Sequence, residues 1–173
     1  MPTSTATRLR SRPEHPADAE FVRALFHDEK SAELAAAGLA PVALEQLVDL
    51  QFRARSTQYA STHPDAEGIV IELDGVPAGH ALVARTASVV HLVDLAVLAR
   101  HRRRGVASHL LRELVDAADA SGQELRLEVR PGNTAARALY ERFGFAAVGE
   151  RNGDALLVRA SAGVHAARGA ANR

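Results

Sequence analysis

Apolar positions along the chain change period several times, and each change marks an element. Between residues 16 and 39, Phe21, Val22, Leu25 and Phe26 recur at helical spacing, which predicts a helix ended by Gly38. Pro41 opens a second helix carrying Val42, Leu44, Leu47, Val48 and Phe52. Past Pro64 the pattern becomes that of strands: 68–73, a tight turn at Asp74-Gly75, and a returning strand over 76–85. The run 89–98 is apolar on both faces, which predicts a central strand. Residues 105–120 form the clearest helix, with Val106, Ala107, Leu110, Leu111, Leu114, Val115 and Ala118 on one stripe and Gly122 at its end. A strand over 124–130 follows, with Leu125, Leu127 and Val129 on one face. The chain closes with a short helix over 133–142 ended by Gly144, and a hairpin of 145–148 and 155–159 across Asn152-Gly153. Weak alternation over 7–12 suits an edge strand. Residues 1–7 and 162–173 read as loose ends around one domain at 8–161.

Composition narrows the function classes. The 173 residues, 47% hydrophobic and 24% charged, fit a globular chain of one domain. Cysteine is absent, which excludes disulfides, thiolate metal sites and a cysteine nucleophile. A formal net charge of zero gives the whole molecule no pull toward nucleic acid or membrane. No apolar stretch approaches the ~20 residues a membrane helix needs. The first twelve residues carry arginines but no apolar centre, so no secretory leader is expected and cytoplasmic residence is the expectation. His15, His27, His63, His80, His101, His109 and His165 lack metal-ligand spacing, and no metal is expected.

The most informative stretch is Arg100-His101-Arg102-Arg103-Arg104-Gly105-Val106-Ala107, which joins the central strand to the strongest helix. A helix start leaves four N–H groups without internal partners, and Ser, Thr, Asp or Asn usually caps one of them. None of these stands between Leu98 and Ala107. Instead four arginines crowd the positive end of the helix dipole, where each cation is disfavoured by roughly 0.3–1 kcal/mol. A polyanion docked on bare amides beside a glycine resolves both anomalies. A solvated basic turn is the plainer reading. A nucleic-acid surface is a further one, weakened by the lack of a continuing basic stripe and by only 4% aromatics.

The segment 102–107 resembles the Arg/Gln-x-x-Gly-x-Gly/Ala signature of the GCN5-related N-acetyltransferases (GNAT). Leu95-Ala96-Val97 upstream, and Leu127-Glu128-Val129, Asn133, Ala136, Leu139-Tyr140 and Gly144-Phe145 downstream, are similar to that family's flanking blocks. The resemblance spans roughly residues 7–160. It implies an α/β (α+β) fold: a mixed, mostly antiparallel twisted sheet of six to seven strands, about four flanking helices, and two splayed central parallel strands. It also implies acetyl-CoA as co-substrate. The coenzyme diphosphate would lie on the amides of Arg102, Arg103, Arg104, Gly105, Val106 and Ala107. The pantetheine would pair with strand backbone at Leu95, Ala96 and Val97, much as an added strand does. Asn133, Ala136 and Arg137 would complete the coenzyme contacts.

Acetyl transfer to an amine needs a neutral nucleophile and a proton for the leaving thiolate. By the same resemblance Tyr140 is the expected general acid beside the sulfur, against the alternative of a packed aromatic. His91 is the candidate base, with an ordinary pKa near 6.5, against that of a strand-end histidine. Asp94 sits in an apolar strand and demands a partner, either orienting an amine or pairing with an arginine; Glu128, flanked by Arg126 and Arg130 on its strand face, is similar, and a structural ion pair is expected for both. Asn133 also suits a helix cap, and Arg137 either reaches a phosphate or faces water. Without cysteine, direct attack of a primary amine in a ternary complex is expected. The alternatives are a coenzyme-binding sensor without turnover and, less favoured, a nucleic-acid-binding domain. Asp18, Glu20, Asp28 and Glu29 in the first helix would suit a cationic acceptor, small molecule or peptide, and equally a solvated face. A homodimer is compatible with the family.

Overall fold

The computed structural model describes residues 8–34, 38 and 40–162. The expected loose ends, apart from Ala162, and residues 35–37 and 39 of the first predicted helix lie outside the described residues. Among the described residues the elements are β1 (Leu9–Pro13), α1 (Ala19–Leu34), α2 (Pro41–Thr62), β2 (Glu67–Leu73), β3 (Val76–Arg85), β4 (Val89–Val97), α3 (Val106–Ser121), β5 (Glu124–Val129), α4 (Thr134–Arg142), β6 (Ala146–Arg151) and β7 (Asp154–Arg159). Seven strands form one sheet in the order β1-β2-β3-β4-β5-β7-β6, with β4 in the middle as its two apolar faces require. β4 and β5 are parallel, whereas β1–β2, β5–β7 and β6–β7 are antiparallel. This is the mixed α/β architecture that the resemblance implies.

Two departures have local causes. The first helix does not begin at Pro16 as an α-helix. Residues Pro16–Asp18 form a 3-10 turn, because His15 Nδ1 accepts from the Ala17 amide while Asp18 accepts from the His15 amide at 2.8 Å. The last strand before the arginine loop stops at Val97 rather than 98, since Leu98 opens a 3-10 turn over Ala99–His101. Both hairpin turns were legible. Asp74 and Gly75 (φ 54° and 82°) and Asn152 and Gly153 (φ 53° and 86°) take the paired positive φ values of a type I′ turn.

The chain divides into two compact units, Met1–Leu82 with Leu95–Ala107, and Val83–Asp94 with Ser108–Arg173. In the first, Leu25 and Phe26 of α1, Val48 of α2 and Val70, Ile71 and Leu73 of β2 are buried. Phe26 and Phe52 pack with centroids 5.5 Å apart, and Arg23 grips Asp49 with two bonds of 2.8 Å, joining α1 to α2. In the second, Leu110, Leu111, Leu114 and Ala118 present the buried stripe of α3, and Leu125, Leu127 and Val129 of β5 are buried as alternation predicts.

Candidate active site

In the first unit, the loop after β4 turns sharply before α3. Arg102 is extended (φ −60°, ψ 154°), Arg103 takes φ +64° and Gly105 φ +82°, before α3 begins at Val106. A positive φ at a non-glycine residue is uncommon and costs about 1 kcal/mol or more. Successive N–H groups in such an alternating turn form a concave nest for an anion. Residues 102–105 form a turn that leads directly into the helix. The Arg102 amide donates to Ala99 O at 3.2 Å. The Arg102 side chain folds back onto the strand end, with Nε 3.2 Å from Val97 O. Arg100 Nε donates to His101 Nε2 at 3.2 Å, so the imidazole is neutral with its proton on the buried Nδ1. Burial, then the charges of Arg100 and Arg104, push the His101 pKa down.

The start of the 3-10 turn ahead of the loop is capped from elsewhere in this unit. Asp28 on α1 accepts from the Ala99 amide at 2.8 Å, across 71 residues. The first-helix acids are therefore partly committed. Asp28 holds this turn, and Asp18 takes both terminal nitrogens of Arg12 at 2.7 and 2.8 Å. The Arg12 hydrogen bonds, with the His15 amide, hold the Asp18 carboxyl well below the usual range.

In the second unit, β4 and β5 run in register from Val89↔Glu124 through His91↔Arg126 to Leu92↔Leu127, and there the ladder stops. β5 continues to Val129, with Glu128 opposite Leu156 and Val129 opposite Ala155 of β7. The β4-facing backbone of those two residues has no ladder partner among the described residues of this unit. An extended ligand with amides could take up that pairing.

Tyr140 lies on α4, 8% exposed, edge-on to Phe145 with centroids 5.9 Å apart. Burial, then the negative charge of Asp94, pushes its hydroxyl up to about 12. The phenol therefore stays protonated across the physiological range and keeps a proton to donate in a hydrogen bond. His91 is half-buried on β4, and alternation sets it on the face of Val93 rather than that of Asp94. Asn133 caps α4, its Oδ1 accepting from the Ala136 amide at 3.2 Å, as expected for that role. Arg137 is exposed and bonds Glu141 at 3.0 Å, one turn on. Glu128 forms a structural ion pair, as expected. Arg151 of β6 pairs with it at 3.3 Å, and Arg126 pairs with Glu124 on its own strand face. The antiparallel β6–β7 hairpin brings Arg151 within reach, which spacing along β5 alone does not reveal.

A cavity of about 500 Å³ opens over β1 and β2, lined by Ser11, Arg12, Pro13, Glu14, Glu67, Gly68 and Ile69. It contains none of the predicted site residues. No helix among the described residues is long and apolar enough to cross a membrane.

Comparison with known proteins places these features in context. The acetyltransferase (GNAT) family matches residues 21–145. An N-alpha-acetyltransferase of Saccharolobus solfataricus is 42% identical over 57 residues, and the chain covers about a third (34%) of that relative's length. The PaiA N-acetyltransferase of Thermoplasma acidophilum, solved in complex with coenzyme A, superposes with a TM-score of 0.67 at 16% identity, over 88% of this chain and 99% of that one. An acetyltransferase of Thermus thermophilus gives 0.63 at 24% identity, over 88% and 96%. At these identities the structural likenesses speak for the fold alone.

Proposed function

The chain belongs to the GNAT acetyltransferase family, and from that premise we propose that it transfers an acetyl group from acetyl-CoA to a primary amine by direct attack in a ternary complex. The observation that carries this reading is the β4–β5 ladder that stops after Leu92↔Leu127. A parallel pair in mid-sheet has every reason to continue, and its early end leaves backbone donors and acceptors suited to an amide-bearing arm.

In this reading the amides of the 102–107 loop take the diphosphate, with the charge of Arg102, Arg103 and Arg104 nearby. Leu95, Ala96 and Val97 offer strand backbone to the pantetheine, and the small Ala136 leaves room on α4. Asn133 and Arg137 keep only a peripheral share, since both already bond within α4. The amine nitrogen attacks the thioester carbonyl carbon, the C–S bond breaks, and the sulfur leaves with the electron pair. Tyr140 donates a hydrogen bond to that sulfur. A phenol near 12 stands about 3.5 units above a free thiol of ~8.5, so completed transfer to an ordinary thiolate is uphill by about 5 kcal/mol. Stabilising the developing charge is the more economical role, with solvent completing the protonation. The amine loses its extra proton to His91 or to water, and Asp94, whose charge acts on Tyr140, holds the ammonium form beforehand.

The acceptor panel begins with peptide N-termini, because the Saccharolobus relative is an N-alpha-acetyltransferase by name. An α-amine, with pKa ≈ 7.7–8.0, is already partly neutral at pH 7 and asks less of a base than a lysine at ≈ 10.4. The test incubates the protein and acetyl-CoA with pooled amines and peptides, reading acetylated products by mass alongside free thiol. Coupled thiol release and acetylation support the proposal. Stabilisation by coenzyme A with no cleavage across the panel replaces it with the sensor reading.

A further inference from the structure

The amide of Ala99 opens the 3-10 turn that leads from β4 into the arginine loop, and no side chain adjacent in the chain caps it. Asp28 caps it from α1 at 2.8 Å, and this carboxylate is half-buried against the turn. Other ties fasten the same stretch. Leu98 N donates to Ala78 O at 3.0 Å, His101 N to Leu98 O at 2.8 Å, and Arg102 Nε to Val97 O at 3.2 Å. All of these belong to the central strands or to the loop itself. Asp28 adds an anchor on a helix, with a charged acceptor, the stronger kind of hydrogen bond.

We propose that Asp28 is a positioning residue for the coenzyme: by holding Ala99 it fixes the start of the loop whose amides take the diphosphate. It acts through the backbone and does not touch the ligand. This rests on the coenzyme-binding reading above. The strained φ of Arg103 makes the idea physically necessary in one respect: a nest that costs energy to form relaxes unless its ends are held. A displacement of about 1 Å in such a preorganised site is costly to binding.

The sign of the electrostatics separates this role from a charge effect. A carboxylate near a polyanion site repels the ligand, so removing its charge alone strengthens binding. Losing the anchor weakens it. Calorimetric titration of the full chain with coenzyme A, together with thermal melting, tests the two. Asp28→Ala is expected to bind about tenfold more weakly, its melting temperature close to wild type. Asp28→Asn keeps an acceptor oxygen without the charge, and is expected to bind as well as wild type or better. Asp28→Glu keeps the charge and moves the acceptor by one methylene, so weakened binding there carries the proposal if the alanine variant fails to fold. Wild-type affinity in both Asp28→Ala and Asp28→Glu overturns it, as does equal loss in Asp28→Asn and Asp28→Ala. If the wild-type protein itself binds no coenzyme A, the acetyltransferase reading has failed, and not merely the role of Asp28.

Discussion

Tyr140 shows what a single residue contributes and how far sequence carries it. Its helical offset from Asn133 and its place before Gly144-Phe145 mark it as a candidate, but its ionisation depends on burial and on Asp94, which only the folded chain assembles. Because its hydroxyl titrates near 12, Tyr140 holds its proton through pH 10. Any alkaline limb of the kcat profile below pH 10 belongs to other groups. Tyr140→Phe is therefore expected to lower kcat by about 10²–10³-fold without moving the apparent pKa values, measured across pH 6–10 with a working acceptor. A stability contribution follows the same sign. With the folded value raised above the ordinary 10, stability from this group is intact below pH 10 and is lost as pH rises through about 12. Asn133 was legible as a cap because capping is local. Asp28 was not, since nothing in α1 announces a backbone amide partner 71 residues away.

Elements were mostly legible, because periodicity and turn chemistry are local signals. α3 could be read from its apolar stripe, and both hairpin turns from Asp-Gly and Asn-Gly. Gly79, in the middle of β3, carries information that periodicity does not register. A Cβ there would stand 2.9 Å from Ala96 O and 3.1 Å from Val106 Cγ1. The bare backbone lets the end of β4 and the first residue of α3 lie close, and Gly79→Ala must push a carbonyl aside. A loss of about 1–3 kcal/mol is expected, seen as a lower urea midpoint at unchanged slope. Asp119 of α3 forms a similar long-range clasp, gripping Arg159 of β7 with two bonds of 2.8 Å and the Ala162 amide at 2.9 Å. The Arg159 hydrogen bonds, then the Ala162 amide, lower its carboxyl to about 2. A depressed carboxylate contributes stability above its unfolded value near 3.9 and loses it as pH falls through about 2. After screening, about 1–2 kcal/mol is expected to separate Asp119→Asn from wild type at pH 7 and to vanish near pH 2, in urea melts at each pH.

At the scale of the whole chain, the element list was readable while the strand order was not. The chain runs β5, β6, β7, yet β7 lies between the other two. That order is written in long-range pairs such as Leu125↔Arg159 and Leu127↔Leu157, where residues of similar character on several strands compete on equal terms. Resemblance to the family, not periodicity, supplied the expectation of a mixed sheet with two parallel strands in its centre. The same non-locality explains the ion pair of Glu128 with Arg151, which crosses to β6.

That outermost strand has a consequence of its own. Every residue of β6 is exposed, Val148 at 61%, and its pairing with β7 slips between Ala147 and Gly149. The slip leaves one residue proud and sets the row of outward amides out of step, so a second molecule's margin cannot zip onto it cleanly. Deleting Val148 would straighten that margin, leaving Ala146, Ala147 and Gly149 in even register before Glu150 and Arg151. The shortened protein is expected to keep its fold and to scatter more light with rising concentration, whereas the parent chain at equal concentration does not. One surplus valine thus acts as a guard against adhesion, and its removal would turn a blunt rim into a sticky one.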